Sequence, residues 1–299
     1  MNPIDQVVTP RTRALGDGFT VRRALPAAAR RAVGPFVFLD EMGPTVLPPG
    51  AGLDVRPHPH IGLATVTWLF DGEILHRDSL GSVQLIRPGE VNWMTAGRGI
   101  VHSERSDATQ RAQASSLHGL QCWVVLPRDD EECEPDFTHL KAAQLPRLEA
   151  DGVHAVLVAG SFLGMTAALP TRSPLVYLQL TLQPGAYFRI PPEYPEQALY
   201  LVRGELTLGT GDVYTAGQLL TIRPHATLML QAGASGATLM LLGGEPLDGP
   251  RRIAWNFVSS RADRIEQAKR DWIAQRFAPV PGETGFIPLP DDLRPVDYP

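Results

Sequence analysis

The sequence contains few cysteines, no cluster of positive charge and no long hydrophobic run, and each shortage excludes a class of protein. Only two cysteines, Cys122 and Cys133, occur in 299 residues, and they do not form a C-x-x-C motif. A disulfide scaffold and a thiolate zinc site are therefore not expected. We predict that both thiols are reduced and structurally idle.

Positive charge is outnumbered by negative charge over the whole chain. The 27 lysines and arginines stand against 32 aspartates and glutamates, which gives a formal net charge of −5. Proteins that grip nucleic acid need a basic patch to neutralise phosphates, and no local lysine or arginine cluster supplies one. We therefore expect no direct contact with nucleic acid.

Hydrophobic residues make up 43% of the chain but never form a long uninterrupted run. A transmembrane helix needs roughly 18 or more consecutive apolar residues. The start of the sequence, Met1-Asn-Pro-Ile-Asp-Gln6, also lacks the basic and apolar segments of a signal peptide. We predict a cytoplasmic globular protein that does not contact a membrane and is long enough for two domains.

What the sequence does contain is short β-type runs separated by turn residues, with 28 glycines and 28 prolines. In one example, the run Ile61–Phe70 is followed by the turn pair Asp71-Gly72 and a second run, Glu73–Asp78. This order is typical of a β-hairpin. Many short strands at such spacing predict an all-β fold of antiparallel barrels or jelly rolls.

Part of the strand pattern is repeated. Leu69-Phe-Asp-Gly-Glu-Ile74 resembles Leu201-Val-Arg-Gly-Glu-Leu206, and the turn Pro88-Gly-Glu90 resembles Ala216-Gly-Gln218. Self-similarity of this kind indicates two copies of one β-barrel. The acidic stretch Arg128–Asp136 is a candidate junction between them. We predict an N-terminal domain over 1–135, a C-terminal domain over 136–248, and a tail over 249–299.

The tail shows a helical pattern. Ser260-Arg-Ala-Asp263 resembles a capping box, and apolar residues then recur at helical spacing as Ala262, Ile265, Ala268 and Trp272. We predict an amphipathic helix near 260–277 whose apolar stripe packs on a barrel.

Two short segments hold four candidate metal ligands, His58-Pro-His60 and His102-Ser-Glu104. Residues two apart on a strand point to the same face, so each pair presents both side chains together. A single His-x-His motif is a weak signal. The second pair strengthens it, because strand and turn signals between the pairs would return the chain beside the first. We predict a metal site made by His58, His60, His102 and Glu104.

Three imidazoles and one carboxylate suit a divalent transition metal better than calcium or magnesium, which prefer oxygen ligands. Fe(II) is the first expectation, with Ni, Cu, Co, Mn and Zn as alternatives. Four protein ligands leave coordination positions open for a chelating substrate or dioxygen. The predicted site is therefore reactive and not only structural.

The repeat provides an internal comparison for this metal site. The positions in the second copy that correspond to the four candidate ligands are Ile190, Pro192, Leu230 and Ala232. None of these side chains can ligate a metal. We expect a metal only in the N-terminal barrel, with the C-terminal barrel serving in packing or regulation.

Several motifs together resemble the pirin family. They are Phe36–Glu41, His58–His60, Asp78–Gly81, Gly243–Leu247 and, most specifically, the block Arg87–Glu104, which reads RPGEVNWMTAGRGIVHSE. The resemblance covers nearly the whole chain. It implies a bicupin, two antiparallel jelly-roll barrels packed face to face with a C-terminal helix. It also implies Fe(II) or a substitute metal held by His58, His60, His102 and Glu104.

The resemblance implies two kinds of function. Some pirins open the flavonol ring of quercetin with dioxygen, and others are described as regulators of transcription factors or metabolic enzymes. We therefore expect a quercetin 2,3-dioxygenase-like enzyme acting on a flavonol-like molecule. The alternatives are a metal- or redox-dependent regulator that binds a protein partner, and another cupin reaction on a chelating substrate.

Two further residues receive roles at this stage. Glu104 is the predicted catalytic residue, since a carboxylate at the metal could accept the proton of a substrate hydroxyl. His76 follows the Asp71-Gly72 turn and is a candidate donor behind the metal ligands, although a hydrogen-bonded strand histidine without that role is the more common case.

Overall fold

The computed structural model describes residues 2–16, 19–291, 293 and 295–298. These residues form mainly β-strands, with two α-helices, α1 (Ala108–Arg111) and α2 (Ala262–Ile273). The strands are β1 (Ile4–Val8), β2 (Arg11–Gly16), β3 (Phe19–Leu25), β4 (Phe36–Leu47), β5 (Asp54–His60), β6 (Leu63–Asp71), β7 (Ile74–Asp78), β8 (Val83–Ile86), β9 (Val91–Thr95), β10 (Ile100–Arg105), β11 (Ser115–Val125), β12 (Asp136–Leu140), β13 (Arg147–Ala150), β14 (Val153–Phe162), β15 (Met165–Thr166), β16 (Leu175–Leu182), β17 (Tyr187–Ile190), β18 (Glu196–Leu208), β19 (Val213–Thr215), β20 (Leu219–Ile222), β21 (Leu228–Gly244), β22 (Arg251–Ala254), β23 (Phe257–Ser259) and β24 (Val296–Tyr298). The predicted all-β class with a helix near the C-terminus is confirmed.

The chain divides into two compact units that are not continuous in sequence. The first consists of Met1–Arg11, Arg23–Phe38 and Ala143–Pro246, and the second of Thr12–Arg22, Leu39–Ala142 and Leu247–Pro299. We call them the apolar unit and the histidine unit after their interiors.

The apolar unit is built on one ten-stranded sheet. Its main path runs β1-β20-β18-β21-β16-β14-β13, with β15, β17 and β19 paired at the side. The strand nearest the N-terminus, β1, is antiparallel to β20, from Val8 opposite Leu219 to Ile4 opposite Ile222. The interior is a large cluster of leucine, isoleucine, valine and phenylalanine side chains, and it includes Ile190, Leu230 and Ala232.

The histidine unit has two main sheets. One runs β12-β9-β6-β11-β4-β3-β2, and the other runs β5-β10-β7-β8. A buried hydrophobic cluster draws side chains from both sheets, among them Val21 of β3, Leu69 of β6 and Ile86 of β8. The two sheets therefore pack against each other through apolar side chains, and the alternation of side chains along each strand gives every strand one inward face.

The repeat seen in the sequence appears in the backbone. Gly72 and Gly204 have φ of +82° and +81°, values that favour glycine. A Cβ added to Gly72 would lie 2.1 Å from the carbonyl oxygen of Ser116, and one added to Gly204 would lie 2.0 Å from that of Gly236. Both glycines thus let a neighbouring strand approach closely at the same point of the repeat.

The prediction of a β-hairpin at Asp71-Gly72 is wrong. The turn is present, but β6 pairs with β9 and β11 while β7 pairs with β8 and β10. The chain therefore leaves one sheet at Gly72 and enters the other. A turn signal specifies a change of direction, whereas the partner of the next strand is decided by which face each strand buries.

The tail of the histidine unit contains a small sheet, β23-β22-β24, and helix α2. Ile265, Ala268 and Trp272 of the predicted apolar stripe are buried, whereas Ala262 is exposed.

Helix α2 is shorter than predicted, and its N-cap, Arg261, makes no side-chain capping bond. The predicted capping box is absent because Ser260 instead bonds to Glu131 through both its backbone N–H and its hydroxyl. No helix in the described part of the chain is long and apolar enough to span a membrane.

Candidate metal centre

Strands β5 and β10 bring the two histidine segments together. They are antiparallel neighbours, with His102 opposite His58 and Ile100 opposite His60. The register shifts between His102 and Glu104, so that Glu104 lies opposite Val55. Such a bulge re-aims side chains locally. Strand β5 lies at the edge of its sheet, which accommodates its prolines because an edge strand needs fewer backbone donors.

The three imidazoles converge. One ligand nitrogen from each of His58, His60 and His102 lies within 4.8 Å of the other two, and all three side chains are buried. The Nε2 atoms of His60 and His102 are 3.1 Å apart. Within the described residues, this is the one group of three or more histidine, cysteine or acidic side chains with metal-binding spacing.

The protonation state of these rings suits a metal. Burial lowers the pKa of His58 to about 4. Burial, followed by the nearby His58 ring, lowers the pKa of His60 and of His102 well below the usual histidine range. The rings are therefore neutral at physiological pH, and each carries one nitrogen lone pair. Neutral imidazole is the form that binds a transition metal.

One ring nitrogen of His58 is already assigned by its hydrogen bond. Its Nδ1 lies 2.9 Å from the backbone carbonyl of Arg56, which only accepts, so Nδ1 carries the proton and donates. The lone pair of His58 is then on Nε2. A backbone carbonyl behind a histidine is a common way to fix the ring orientation at a metal site. The donor set and its orientation therefore fit a divalent transition metal.

Glu104 lies beside this group but is not one of the three side chains whose ligand atoms lie within 4.8 Å of one another. Burial raises the pKa of Glu104 to about 7, in spite of a hydrogen bond with Thr67 that lowers it. The Thr67 hydroxyl also lies 2.7 Å from Oε1 of Gln121, and its single proton can be donated to only one of these two acceptors at a time. The carboxyl group can therefore gain or lose a proton near neutral pH.

The sequence analysis missed Thr67 and Gln121. A signal for Thr67 was available, since Thr65 and Thr67 are polar residues on one face of an otherwise apolar strand, and both are buried. Gln121 offered no signal, because it lies on β11 and meets Thr67 only through the pairing of β6 with β11.

The C-terminal tail fastens the two strands that carry the histidines. Glu283 accepts hydrogen bonds from the Ser103 hydroxyl at 2.9 Å and from the Arg105 guanidinium at 2.7 to 3.0 Å. The Ile287 N–H donates to the carbonyl of Pro57 at 2.8 Å. We call residues 283–287 the C-terminal clasp. It connects the tail to β10 through side chains and to β5 through the backbone.

The contribution of the C-terminal clasp to the free energy of unfolding should depend on pH. Burial raises the pKa of Glu283, but hydrogen bonds from Arg105 and Ser103 outweigh it and leave the pKa below its ordinary value. A carboxyl group whose pKa is depressed on folding stabilises the fold at neutral pH, and this stabilisation is lost as pH falls through the folded-state pKa. We therefore expect Glu283→Gln to lower the free energy of unfolding at pH 7 and to have a progressively smaller effect below about pH 4.3, the ordinary glutamate pKa.

Urea denaturation of the wild type and Glu283→Gln from pH 7 to pH 3 measures this effect. Glu266→Gln is the control, because Glu266 pairs with Lys269 on the exposed side of α2 and is itself exposed. A difference between wild type and Glu283→Gln that stays constant across the pH range would contradict the role given to the Glu283 carboxylate.

Family profiles and individual known proteins match this chain over most of its length. The profile of the Pirin family matches residues 18–124, and that of the Pirin C-terminal cupin domain matches residues 177–278. A pirin-like protein from Caulobacter vibrioides is 49% identical over 292 residues, covering 96% of this chain and 100% of its own. A Pseudomonas aeruginosa protein, provisionally named a quercetin 2,3-dioxygenase, is 39% identical over 272 residues, covering 89% of this chain and 83% of its own.

A solved structure is also similar. The crystal structure of a quercetin 2,3-dioxygenase from Acinetobacter baumannii superposes with a TM-score of 0.89 at 35% sequence identity, covering 98% of both chains. The chain therefore contains two cupin domains, as the sequence analysis expected. The histidine cluster lies in the region matched by the first of the two profiles.

Proposed function

This chain belongs to the pirin family, and we propose that it is a metal-dependent dioxygenase that opens the ring of a flavonol such as quercetin. The observation that carries the proposal is the buried group of three neutral imidazoles, His58, His60 and His102. Relatives named for quercetin 2,3-dioxygenase share 39% and 35% of their residues with this chain over most of its length, which supports the substrate class.

We propose that His58, His60, His102 and Glu104 hold the metal. Fe(II) is the first candidate, and Ni, Cu, Co, Mn and Zn are alternatives, since imidazole donors accept all of them and cellular supply decides between them. When bound, such an ion supplies Lewis acidity that polarises the hydroxyl and carbonyl oxygens of a chelating substrate. The three neutral rings add no charge and the Glu104 carboxylate adds one negative charge, so a bound divalent ion would keep one net positive charge to attract an anionic substrate.

Glu104 is the acceptor of the substrate's hydroxyl proton in this proposal. An Oε atom of the Glu104 carboxylate accepts the proton of the flavonol 3-hydroxyl. Burial of all four side chains keeps bulk water away from the resulting anion. The overall reaction consumes one dioxygen per flavonol and releases one carbon monoxide together with the ring-opened ester. We place the protein in the cytoplasm, with a flavonol-like small molecule as its principal partner.

An oxygen-electrode assay tests the proposal. The wild type, loaded anaerobically with Fe(II), is expected to consume one dioxygen per quercetin and to release carbon monoxide. His60→Ala should consume none. Glu104→Gln, measured at matched metal content, should be slower by about 100- to 10,000-fold, the range for losing a general base. His154→Ala is the control, because His154 bonds to Glu149 in the apolar unit.

The alternative functions give different results in the same assay. Turnover of a chelating substrate without oxygen uptake would indicate another cupin reaction. Stoichiometric iron binding with no turnover would contradict the dioxygenase proposal and favour a metal-dependent regulator, which a search for a protein partner would then pursue.

A further inference from the structure

A fourth histidine lies directly behind the cluster. His76 is on β7, whose residues pair with β10 so that His76 lies opposite Glu104 and Asp78 lies opposite His102. The Nδ1 atom of His76 is 3.5 Å from Nδ1 of His102, and its Nε2 atom is 3.0 Å from Oδ2 of Asp78. The Phe137 ring stacks on the His76 ring, with centroids 4.4 Å apart and planes 12° apart.

The second oxygen of the Asp78 carboxylate is held by backbone hydrogen bonds. This Oδ1 atom accepts the backbone N–H groups of Leu80 at 2.9 Å and Ser82 at 3.0 Å. The carboxyl group is fully buried, and each of its oxygens has an assigned partner. Oδ2 therefore faces His76, and an ionised carboxylate offers only acceptor atoms. His76 must carry its proton on Nε2 to donate to it.

The proton on His76 Nε2 determines which nitrogen of His102 carries a proton. A neutral imidazole with its proton on Nε2 has a lone pair on Nδ1, so His76 Nδ1 can only accept. Its nearest ring partner is Nδ1 of His102, which must then be the donor. The Nε2 atom of His102 is left with the lone pair, and this atom lies 3.1 Å from Nε2 of His60, inside the cluster.

We propose that Asp78 and His76 are positioning residues that hold the His102 proton on Nδ1 and so direct the His102 Nε2 lone pair at the metal. The three residues form a chain of two hydrogen bonds that ends at the ion. The 3.5 Å distance between Nδ1 of His76 and Nδ1 of His102 makes this the longer and weaker of the two hydrogen bonds. The proposal rests on His102 being a metal ligand, as proposed above, and does not require dioxygenase activity.

Asp78→Asn is the sharpest variant, because it keeps the shape and changes one hydrogen-bond role. The backbone N–H groups of Leu80 and Ser82 require an oxygen at the Oδ1 position, so the new amide nitrogen must face His76. It would donate to His76 Nε2, move the His76 proton to Nδ1 and force the His102 proton onto Nε2. The lone pair of His102 would then point away from the metal.

The expected result is a 10- to 100-fold loss of Co(II) affinity in Asp78→Asn, measured by competition with a chelator, as found for partners behind metal-bound histidines. ¹⁵N NMR of the metal-free protein gives an independent readout, since protonated and unprotonated imidazole nitrogens have distinct shifts. In the wild type, His102 Nδ1 should be protonated. In Asp78→Asn, the His102 proton should be on Nε2.

Two variants of His76 separate this role from simple packing. His76→Asn places an acceptor oxygen near the position of Nδ1 and should keep Co(II) affinity within about tenfold of the wild type. His76→Leu removes the acceptor and should lose as much affinity as Asp78→Asn. The double variant His76→Leu/Asp78→Asn should be no weaker than His76→Leu alone, because Asp78 acts on the metal only through His76.

Unchanged affinity and an unchanged His102 proton in Asp78→Asn would overturn the proposal. Additive losses in the double variant would also overturn it, since they would show that Asp78 acts by another route. A wild type that binds no Co(II) would instead count against the proposed function, and the ¹⁵N measurement on metal-free protein would still decide whether Asp78 controls the His102 proton.

Discussion

If the proposed site holds one metal ion per chain, replacement of His60 by alanine will reduce the metal content to almost none. His60 contributes one of three neutral nitrogens, and its Nε2 is 3.1 Å from Nε2 of His102. Two imidazoles and one carboxylate, with one nitrogen ligand fewer, would hold the ion weakly. We expect the affinity loss to exceed the roughly 10- to 100-fold loss that follows removal of a partner behind a ligand.

Metal analysis and thermal unfolding together measure this effect. At a free metal concentration a hundredfold above Kd, binding stabilises the wild type by about 2.7 kcal/mol. For a domain of this size, that corresponds to a rise in Tm of roughly 5–10 °C. The rise should be absent in His60→Ala, and His154→Ala should retain it. The metal-free Tm of His60→Ala should itself fall, because the ring is buried and packs on Trp123 with centroids 5.3 Å apart, so the comparison is the rise in Tm that the metal causes in each variant.

A stoichiometric metal content in His60→Ala would contradict this prediction. It would show that the ion is held elsewhere or that Glu104 and the remaining histidines suffice. His102→Ala then provides a second test, because this residue lies on the other strand of the pair and its loss removes the atom that His60 faces.

Replacement of Arg251 by alanine will destabilise the histidine unit by about 3–5 kcal/mol, the cost of leaving one member of a buried ion pair without its partner. The Arg251 side chain has 0% exposure and that of Glu131 has 5%, with Nε of Arg251 2.6 Å from Oε1 of Glu131. That N–H is not directed at an oxygen, so charge attraction rather than a hydrogen bond accounts for this contact. The guanidinium also donates to the Leu126 carbonyl at 3.0 Å and pairs with Asp248.

Urea denaturation tests this prediction, and the neighbouring residue provides a matched control. Arg252 pairs with Asp297 at 2.8 Å, but both side chains are exposed, by 40% and 69%. Exposed pairs contribute about 0–1 kcal/mol, so Arg252→Ala should have little effect. The double variant Arg251→Met/Glu131→Gln removes both charges and should be more stable than Arg251→Ala. Equal effects of Arg251→Ala and Arg252→Ala would contradict the role of the buried pair.

The shared direction of His58 and His60 was predictable from the sequence because it is local. Residues two apart on a strand share a face whatever the rest of the fold does, so His58 and His60 had to point together. The chemistry of the donors then suggested a transition metal without further structure. The all-β class was predictable for a similar reason, since turn residues and short apolar runs act within a few positions of the chain.

Other features depend on strand partners far apart in the sequence and could not be predicted. The Asp71-Gly72 turn was identified, but nothing in the sequence showed that β6 and β7 enter different sheets. The pairing of β1 with β20 joins residues more than 200 positions apart. The contact of Gln121 with Thr67 depends on the register of β11 against β6. In each case, long-range burial decides the partner and leaves no local pattern.

The C-terminal clasp has a consequence for the order of events during synthesis. Glu283 follows Arg105, its partner on β10, by 178 residues. At roughly 5–20 residues per second, the ribosome needs about 10–35 s to make that interval. In a nascent chain, strands β5 and β10 are therefore synthesised well before Glu283 is available to form its hydrogen bonds with β10. An ion that arrives during translation meets an unfastened pair of strands, and we expect stable loading to follow release of the finished chain.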